Sequence, residues 1–199
     1  YTKVDPLKIQ VGEGVHEIVG NDKRLNVACS HITFVGKGKD QTTIRGGFRV
    51  ENQQNVTFEG LAVTNSRSDG LYLLGSETTV DVLECVVKEC GSTGMFVLEG
   101  ATVTATQCEF MENVGSGVSC RDANAKVTLN DCTTRDNGYH GVSAYNHAAV
   151  DLHGTKMDIH SNKMAGIHAS ERAKVNIHLP SQHNTSHDNV GEDRVQDTG

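Results

Sequence analysis

Ile32-Thr33-Phe34-Val35-Gly36 and Val56-Thr57-Phe58-Glu59-Gly60 are nearly the same peptide, set 24 residues apart. Outward from this pair, the first apolar position recurs as Ile9, Ile32, Val56, Val80, Val103, Val127, Val150 and Val175, every 23 to 25 residues. Two positions later stand Val11, Phe34, Phe58, Val82, Ala105, Leu129, Leu152 and Ile177. A glycine ladder keeps the same period: Gly47, Gly70, Gly94, Gly117, Gly141, Gly166 and Gly191. Its first six members are followed by Phe48, Leu71, Met95, Val118, Val142 and Ile167, with Leu25 in that slot one coil earlier. Two positions further on come Val27, Val50, Leu73, Val97, Cys120, Ala144 and Ala169. A third slot reads Leu61, Cys85, Cys108, Cys132, Thr155.

Apolar residues alternating with a period of two mark short strands with one buried face. One coil cannot cover that face alone. Stacking coils at roughly 4.8 Å sets like residue on like residue and closes a continuous core. The sequence therefore predicts an all-β chain: a single-stranded, right-handed parallel β-helix solenoid of about seven coils of 23 to 25 residues. Helix pairs need a longer repeat and a period of 3.6, and leucine-rich repeats need a leucine signature absent here. Glycine at a coil corner permits turns that a Cβ resists. Asn65, Asn113 and Asn137 recur at the following turn, where stacked amides are expected to bond to one another and to the turn backbone. Residues 1–191 are read as the β-helix domain and 192–199 as a frayed tail or the start of a cap, because Glu192 breaks the inward pattern. Tyr1 to Lys8 is expected to cover part of the first coil, and uncapped ends leave a route to oligomerisation.

Composition agrees. The chain has 199 residues, 21 glycines, two prolines, no tryptophan and 36% hydrophobic residues, which suits short strands joined by tight turns. A net charge of −7 argues against a nucleic-acid surface, which needs a basic stripe. No apolar run approaches a membrane span. The start, Tyr1-Thr2-Lys3-Val4-Asp5-Pro6, is no signal peptide and lacks an initiator Met, as expected of a processed product or an excised domain.

Of the six cysteines, Cys85, Cys108 and Cys132 share one inward slot and Cys120 sits in another, with no metal-binding spacing, so buried free thiols are expected. Cys29 and Cys90 lie off the repeat and are the candidates for reactivity. Two glycosylation triplets occur, Asn55-Val56-Thr57 and Asn184-Thr185-Ser186.

The pattern G-[apolar]-x-[apolar], then V-x-[apolar]-x-x-[C/T/L], then Asn in a turn, resembles the right-handed β-helix superfamily of carbohydrate-binding and sugar-hydrolase domains over roughly residues 9–190. Gly12-Glu13-Gly14-Val15-His16-Glu17-Ile18, His31 to Gly38 and Thr42 to Gly46 are similar to the opening coils of such domains, pectin methylesterases among them. The resemblance implies the fold. Its members include polysaccharide lyases, glycoside hydrolases, surface adhesins and substrate-recognition domains of F-box ubiquitin ligases. Their catalytic strings are missing. Neither DFIFG nor LGRPW of pectin methylesterases is present, and Gln196-Asp197-Thr198 matches their QDT only outside the repeat. Asn65-Ser66-Arg67-Ser68-Asp69-Gly70 lacks the aspartate pair of polygalacturonases, and the pectate lyase strings vWiDH and RxPxxR are absent.

Function is therefore sought in the outward columns. Beside the glycine slot these read Tyr72, Phe96, Ser119, Ser143, His168 and then Leu74, Leu98, Arg121, Tyr145, Ser170. Strict alternation exposes Tyr72, Leu74, Phe96 and Leu98 as an apolar contact patch, with Tyr72 and Phe96 able to stack on sugar rings. Toward the C-terminus the face turns polar. A lyase needs a cation for the uronate carboxylate and a base for the α-proton: Arg121 is the candidate for the first, Tyr145 or His168 for the second. Asp122, His147, Glu171 and Arg172 are placed around them as ligand-binding residues. An ordinary solvated face is the competing reading. Eight of ten histidines fall between His140 and His187. His153 and His178 share a column, but no third ligand joins them, and neither a metal nor another cofactor is expected.

Three readings follow. One is a non-catalytic recognition or structural module, carbohydrate-binding or part of a larger assembly. The second is a lyase or hydrolase acting on an acidic polysaccharide. The third is an intracellular protein-interaction scaffold. The expected partner is a polysaccharide or protein on the Tyr72/Phe96/Arg121/Tyr145 face. An extracellular, virion or cell-surface setting is expected ahead of a cytoplasmic one.

Overall fold

The computed structural model describes residues 7–21, 23–180, 183 and 185–197. Its regular elements are all short strands of two to five residues, and every strand pairing between them is parallel. One coil shows the plan: Thr102–Thr106, Glu109–Met111 and Val118–Arg121 lie on three different sheets. The next coil adds one strand to each, and every sheet reaches eight strands. The chain is a right-handed parallel β-solenoid of about eight turns. No described helix is long and apolar enough to cross a membrane.

The inward ladders meet as expected. Val80, Val103, Val127 and Val150 pair in register, as do Val82, Ala105, Leu129 and Leu152, and all are buried. Phe34, Phe48 and Phe58 pack together near the N-terminal end, with centroids 4.6 to 5.4 Å apart.

Three registers differ from the sequence reading. In the first turn Leu7 pairs with Ile32 and Ile9 with Phe34, so these slots hold Leu7 and Ile9, not Ile9 and Val11. A slip of two preserves which face is buried, so a period-two pattern cannot exclude it. The third slot continues to Met157: Asp158 pairs with Thr133, so Met157 follows Cys132, and Thr155 is exposed in the turn before it. At the last turn Arg194 pairs with Ile167, a step of 27 residues. Asp193, not Gly191, thus reaches the glycine slot, and Arg194–Gln196 are ladder where a frayed tail was expected. Residues 1–6 and 198–199, which carry the rest of the predicted cap and tail, lie outside the described residues, as does Asn184 of the second glycosylation triplet.

The asparagine turns form a continuous buried ladder. Asn113 donates through Nδ2 to Oδ1 of Asn137 at 3.0 Å, Asn137 to Asn162 at 2.9 Å, and Asn162 to Asn189 at 2.9 Å. The same oxygens accept the backbone N–H of the preceding rung. The amides also donate to the carbonyls of Val87, Phe110, Thr134 and Ile159. Asn189 continues the chain of donors to Oδ1 of Asp193 at 3.0 Å. Cys90 fills the rung between Asn65 and Asn113: its N–H donates to Asn113 and the next N–H, of Gly91, to the carbonyl of Asn65.

This ladder explains the glycines. None of Gly70, Gly94, Gly117 or Gly141 adopts a positive φ, so the turn conformation expected to require them is not the reason. A Cβ on Gly94, Gly117 or Gly141 would lie 2.8 Å from an amide nitrogen of Asn113, Asn137 or Asn162. At Gly70 it would meet Cys90 Sγ at 2.9 Å, the thiol standing where the amide stands elsewhere.

Five cysteines are buried and unpaired, and only Cys29 is exposed. Burial pushes the thiols of Cys85, Cys90 and Cys120 up to about 12, so the expected reactivity of Cys90 is lost to its place in the core. A thiol reagent is accordingly expected to modify one cysteine rapidly in the native protein and all six after denaturation; two or more fast native thiols would contradict this packing. Asn137→Ala orphans groups on both neighbouring rungs and is expected to lower the unfolding free energy by about 3 kcal/mol in denaturant melts.

Candidate functional site

The third sheet presents an outward column, residue on residue: Asn26, Arg49, Tyr72, Phe96, Ser119, Ser143, His168 and Val195. Arg121 pairs with Tyr145 in the adjoining column. Their side chains form a cation–aromatic ladder. The Arg24 guanidinium lies 4.6 Å and that of Arg49 5.9 Å from the Tyr72 ring centre. Tyr72 meets Phe96 at 5.8 Å. Arg121 bridges Phe96 at 5.8 Å and Tyr145 at 5.4 Å, and Tyr145 meets His168 at 5.2 Å. Such contacts hold a guanidinium over a ring while leaving N–H donors for a ligand.

The cations at the two ends differ. Arg24 is mostly buried, 2.6 Å from Asp69, and bonded to Ser68. Arg49 is ion-paired to Glu51 at 2.8 Å. Arg121 is exposed and has no carboxylate within ion-pair distance among the described residues. It overhangs a cleft of about 330 Å³ walled by Phe96, Tyr139 and Tyr145 and floored by Ser119 and Ser143. The two serines were expected at the surface. They are buried because the taller aromatic side chains around them define the rim. No aspartate or glutamate lines this cleft.

Proton-transfer chemistry is weakly supported. Burial pushes the Tyr145 phenol above its ordinary value, against the opposing pull of Ser143 and Arg121, so its surroundings do not favour the phenolate. His168 bonds through Nε2 to Asp197 at 3.1 Å and stacks on His140 with centroids 4.4 Å apart. Its Nδ1 and that of His140 are buried without partners. His140 is driven down to about 4, first by burial and then by His168. No group of three or more candidate metal ligands occurs among the described residues.

The structure thus brings together Tyr72, Phe96, Arg121, Tyr145 and His168. The other predicted ligand-binding residues stand beside this ladder, with Asp122 donating its N–H to the Tyr145 carbonyl and Glu171 near enough to act on the Tyr145 phenol. Asp122, His147, Glu171 and Arg172 lie at the next corner, in the left-handed region with φ of 76°, 64°, 53° and 62°. Gly75 and Gly100 hold the corresponding turns of earlier coils at positive φ. These four residues answer first to backbone geometry. Asp122 accepts a bond from Asn146, while His147, Glu171 and Arg172 border a separate open recess.

The predicted apolar patch is only half there. Tyr72 and Phe96 are partly exposed, but Leu74 and Leu98 are buried, one paired on the other. Each ends its strand just before Gly75 or Glu99-Gly100, and alternation of faces stops where the backbone leaves the extended region. Sequence reasoning missed Arg24, Arg49, Tyr139, His140 and Asp197. Extending the Tyr72 column one coil back reaches Arg49. Asp197 arrives only through the 27-residue final step.

A family model described as "Right handed beta helix region" matches residues 18–189. The chain belongs to this right-handed β-helix family. No curated protein matches it. Among solved structures this β-helix chain is similar to the A-module of the mannuronan C-5 epimerase AlgE4 from Azotobacter vinelandii, with 13% identity, a TM-score of 0.42, and coverage of 83% of this chain and 73% of that one.

Leu98→Ala separates the two accounts of the patch. As a buried side chain Leu98 is expected to contribute about 2–3 kcal/mol to stability in denaturant melts; a change within experimental error would mean the leucine is exposed.

Proposed function

We propose that this β-helix is a recognition module that binds an extended acidic polysaccharide along its third sheet, without cleaving it. The observation that carries this reading is Arg121, an exposed guanidinium held between Phe96 and Tyr145 with no carboxylate at ion-pair distance among the described residues. Aromatic faces suit the apolar faces of sugar rings, and a guanidinium fork suits a carboxylate. The ladder runs from Arg24 and Arg49 to His168, across seven successive strands of one sheet, which matches a linear chain better than a compact ligand.

The enzymatic alternative has one supporting feature, the contiguity of Arg121, Tyr145 and His168. Against it stand the Tyr145 phenol, whose surroundings do not favour the phenolate, and a cleft without carboxylates. Hydrolysis by the usual route needs two facing acids.

Titration calorimetry with oligouronates and with neutral oligoglucans of equal length tests the proposal. Binding is expected for the acidic chains, weakening with salt and falling roughly tenfold or more in Arg121→Ala, the loss of one charge-assisted contact. The same mixtures are followed by ultraviolet absorbance for an unsaturated product and by a reducing-end assay. No product is expected. Product formation that disappears in Arg121→Ala would replace recognition by catalysis, and equal affinity for the neutral chains would remove the acidic specificity.

A further inference from the structure

Six of the eight histidines between His140 and His187 form three stacked pairs: His140 on His168 at 4.4 Å, His153 on His178 at 4.3 Å, and His160 on His187 at 5.3 Å, with ring planes within 20° of parallel. With coils counted from their corner asparagines, each pair joins coil 137–161 to coil 162–188. The His153/His178 pair lies on the first sheet and the His160/His187 pair on the second, while the His140/His168 pair lies at the edge of the third, where only His168 is in a strand. No other boundary between coils carries such a pair among the described residues.

We propose that coil 162–188, with the strand Arg194–Gln196 that stacks on it, is an acid-released element, loosened from the first and third sheets when both imidazoles of the stacks that hold it are protonated. The sheets themselves bind neighbouring coils regardless of pH, so this boundary is singled out by its side chains. Two imidazolium rings at these separations repel, and the repulsion acts directly across the boundary.

The surrounding charges decide where the repulsion is uncompensated. His168 faces Asp197, Lys163 lines the same recess with Glu192, and the rings of Tyr139 and Tyr145 flank the pair. His178 bonds to Asp151 at 3.1 Å, and Lys126 lies 3.4 Å from the same carboxylate. Around this second pair Asn130 and Asn176 are neutral and Lys174 is a further cation on the edge strand. At the His153/His178 pair one carboxylate serves two imidazoles and Lys126, and at the His140/His168 pair Asp197 and Glu192 face two imidazoles and Lys163. The third pair is better served. His187 lies between Asp158 and Asp188, each at 2.9 Å, and the neighbouring Arg135 is already held by Asp136 and Glu109.

The protonation energetics have the same division. His140 titrates at about 4 in place, while a released imidazole takes its proton at its ordinary value of 6.5. The opened state therefore binds more protons as pH falls from 6.5 toward 4, and stability at this corner falls with it. His187 is shifted upward, chiefly by Asp188, with Asp158 adding to it. Its contribution is fully present below the unfolded value and is lost as pH rises through the folded one, so it holds the second-sheet edge in acid. Release of the coil withdraws His168 and Asp197 and removes the C-terminal end of the cation–aromatic ladder.

Hydrogen exchange of the intact chain tests this without any saccharide, so its outcome is independent of the polysaccharide reading. Protection, corrected for intrinsic exchange, is compared at about pH 7.5 and about pH 5. Ile167–Ala169 and Lys174–His178 are expected to lose roughly tenfold in protection, Ser186–His187 less, and the strands from Leu71–Leu74 to Val118–Arg121 none. His153→Asn, on the exposed face, is expected to abolish most of the loss at Lys174–His178. Equal protection at both pH values, loss spread evenly over all coils, or a loss at Lys174–His178 unchanged in His153→Asn overturns the proposal.

Discussion

A buried amide lodged against a glycine is the constraint on which the rest of this solenoid depends. From Asn113 onward each coil must return its asparagine to the same corner, under the amide of the next coil and beside a strand whose residue has no Cβ, as the preceding coil returns Cys90. That requirement fixes where each coil must end, while the residues held between corners vary from 23 to 27. It also fixes the start of each third-sheet strand, and hence which side chains stack in the outward column. The backbone ladders would tolerate a slip of two residues without exposing the core, as the first turn shows with Leu7 and Ile9. The corner would not, because a slipped coil would leave amide donors unpaired where no water reaches them.

Much of the architecture was legible because the inward slots obey one period. Valines on valines and cysteines on cysteines announce stacking before any coordinates. The glycine ladder was equally legible, but its cause was not. A glycine invites a conformational explanation, whereas here it clears space for a side chain 19 to 21 residues further along the sequence. Misreadings arose where coils change length. Thr155 was placed in the thiol slot because the turn before Met157 carries extra residues, and Gly191 was placed in the glycine ladder because the final step is longer than the others. Periodicity locates slots only while the period holds.

The site was less legible because outward residues obey no common rule. Alternation correctly sent Tyr72, Phe96, Arg121, Tyr145 and His168 to one face. It failed for Leu74 and Leu98 at strand ends, and it had no means of foreseeing that Ser119 and Ser143 lie beneath their taller neighbours. The charged residues at the following corner illustrate a different trap. Asp122, His147, Glu171 and Arg172 look like a ligand constellation in sequence, yet their left-handed backbone gives them a structural reason for being in a turn.

The asparagine ladder has one more property. Each side-chain amide in it donates once back to a carbonyl of the preceding coil and once toward the C-terminal end, so the side-chain-to-side-chain bonds of Asn113, Asn137, Asn162 and Asn189 run head to tail in one direction. The row is directional along the solenoid axis, with its donating end at Asn189. The group that receives that donor is the Asp193 carboxylate. This is the arrangement by which an acidic side chain settles at the amino end of an α-helix, reached here by side chains alone.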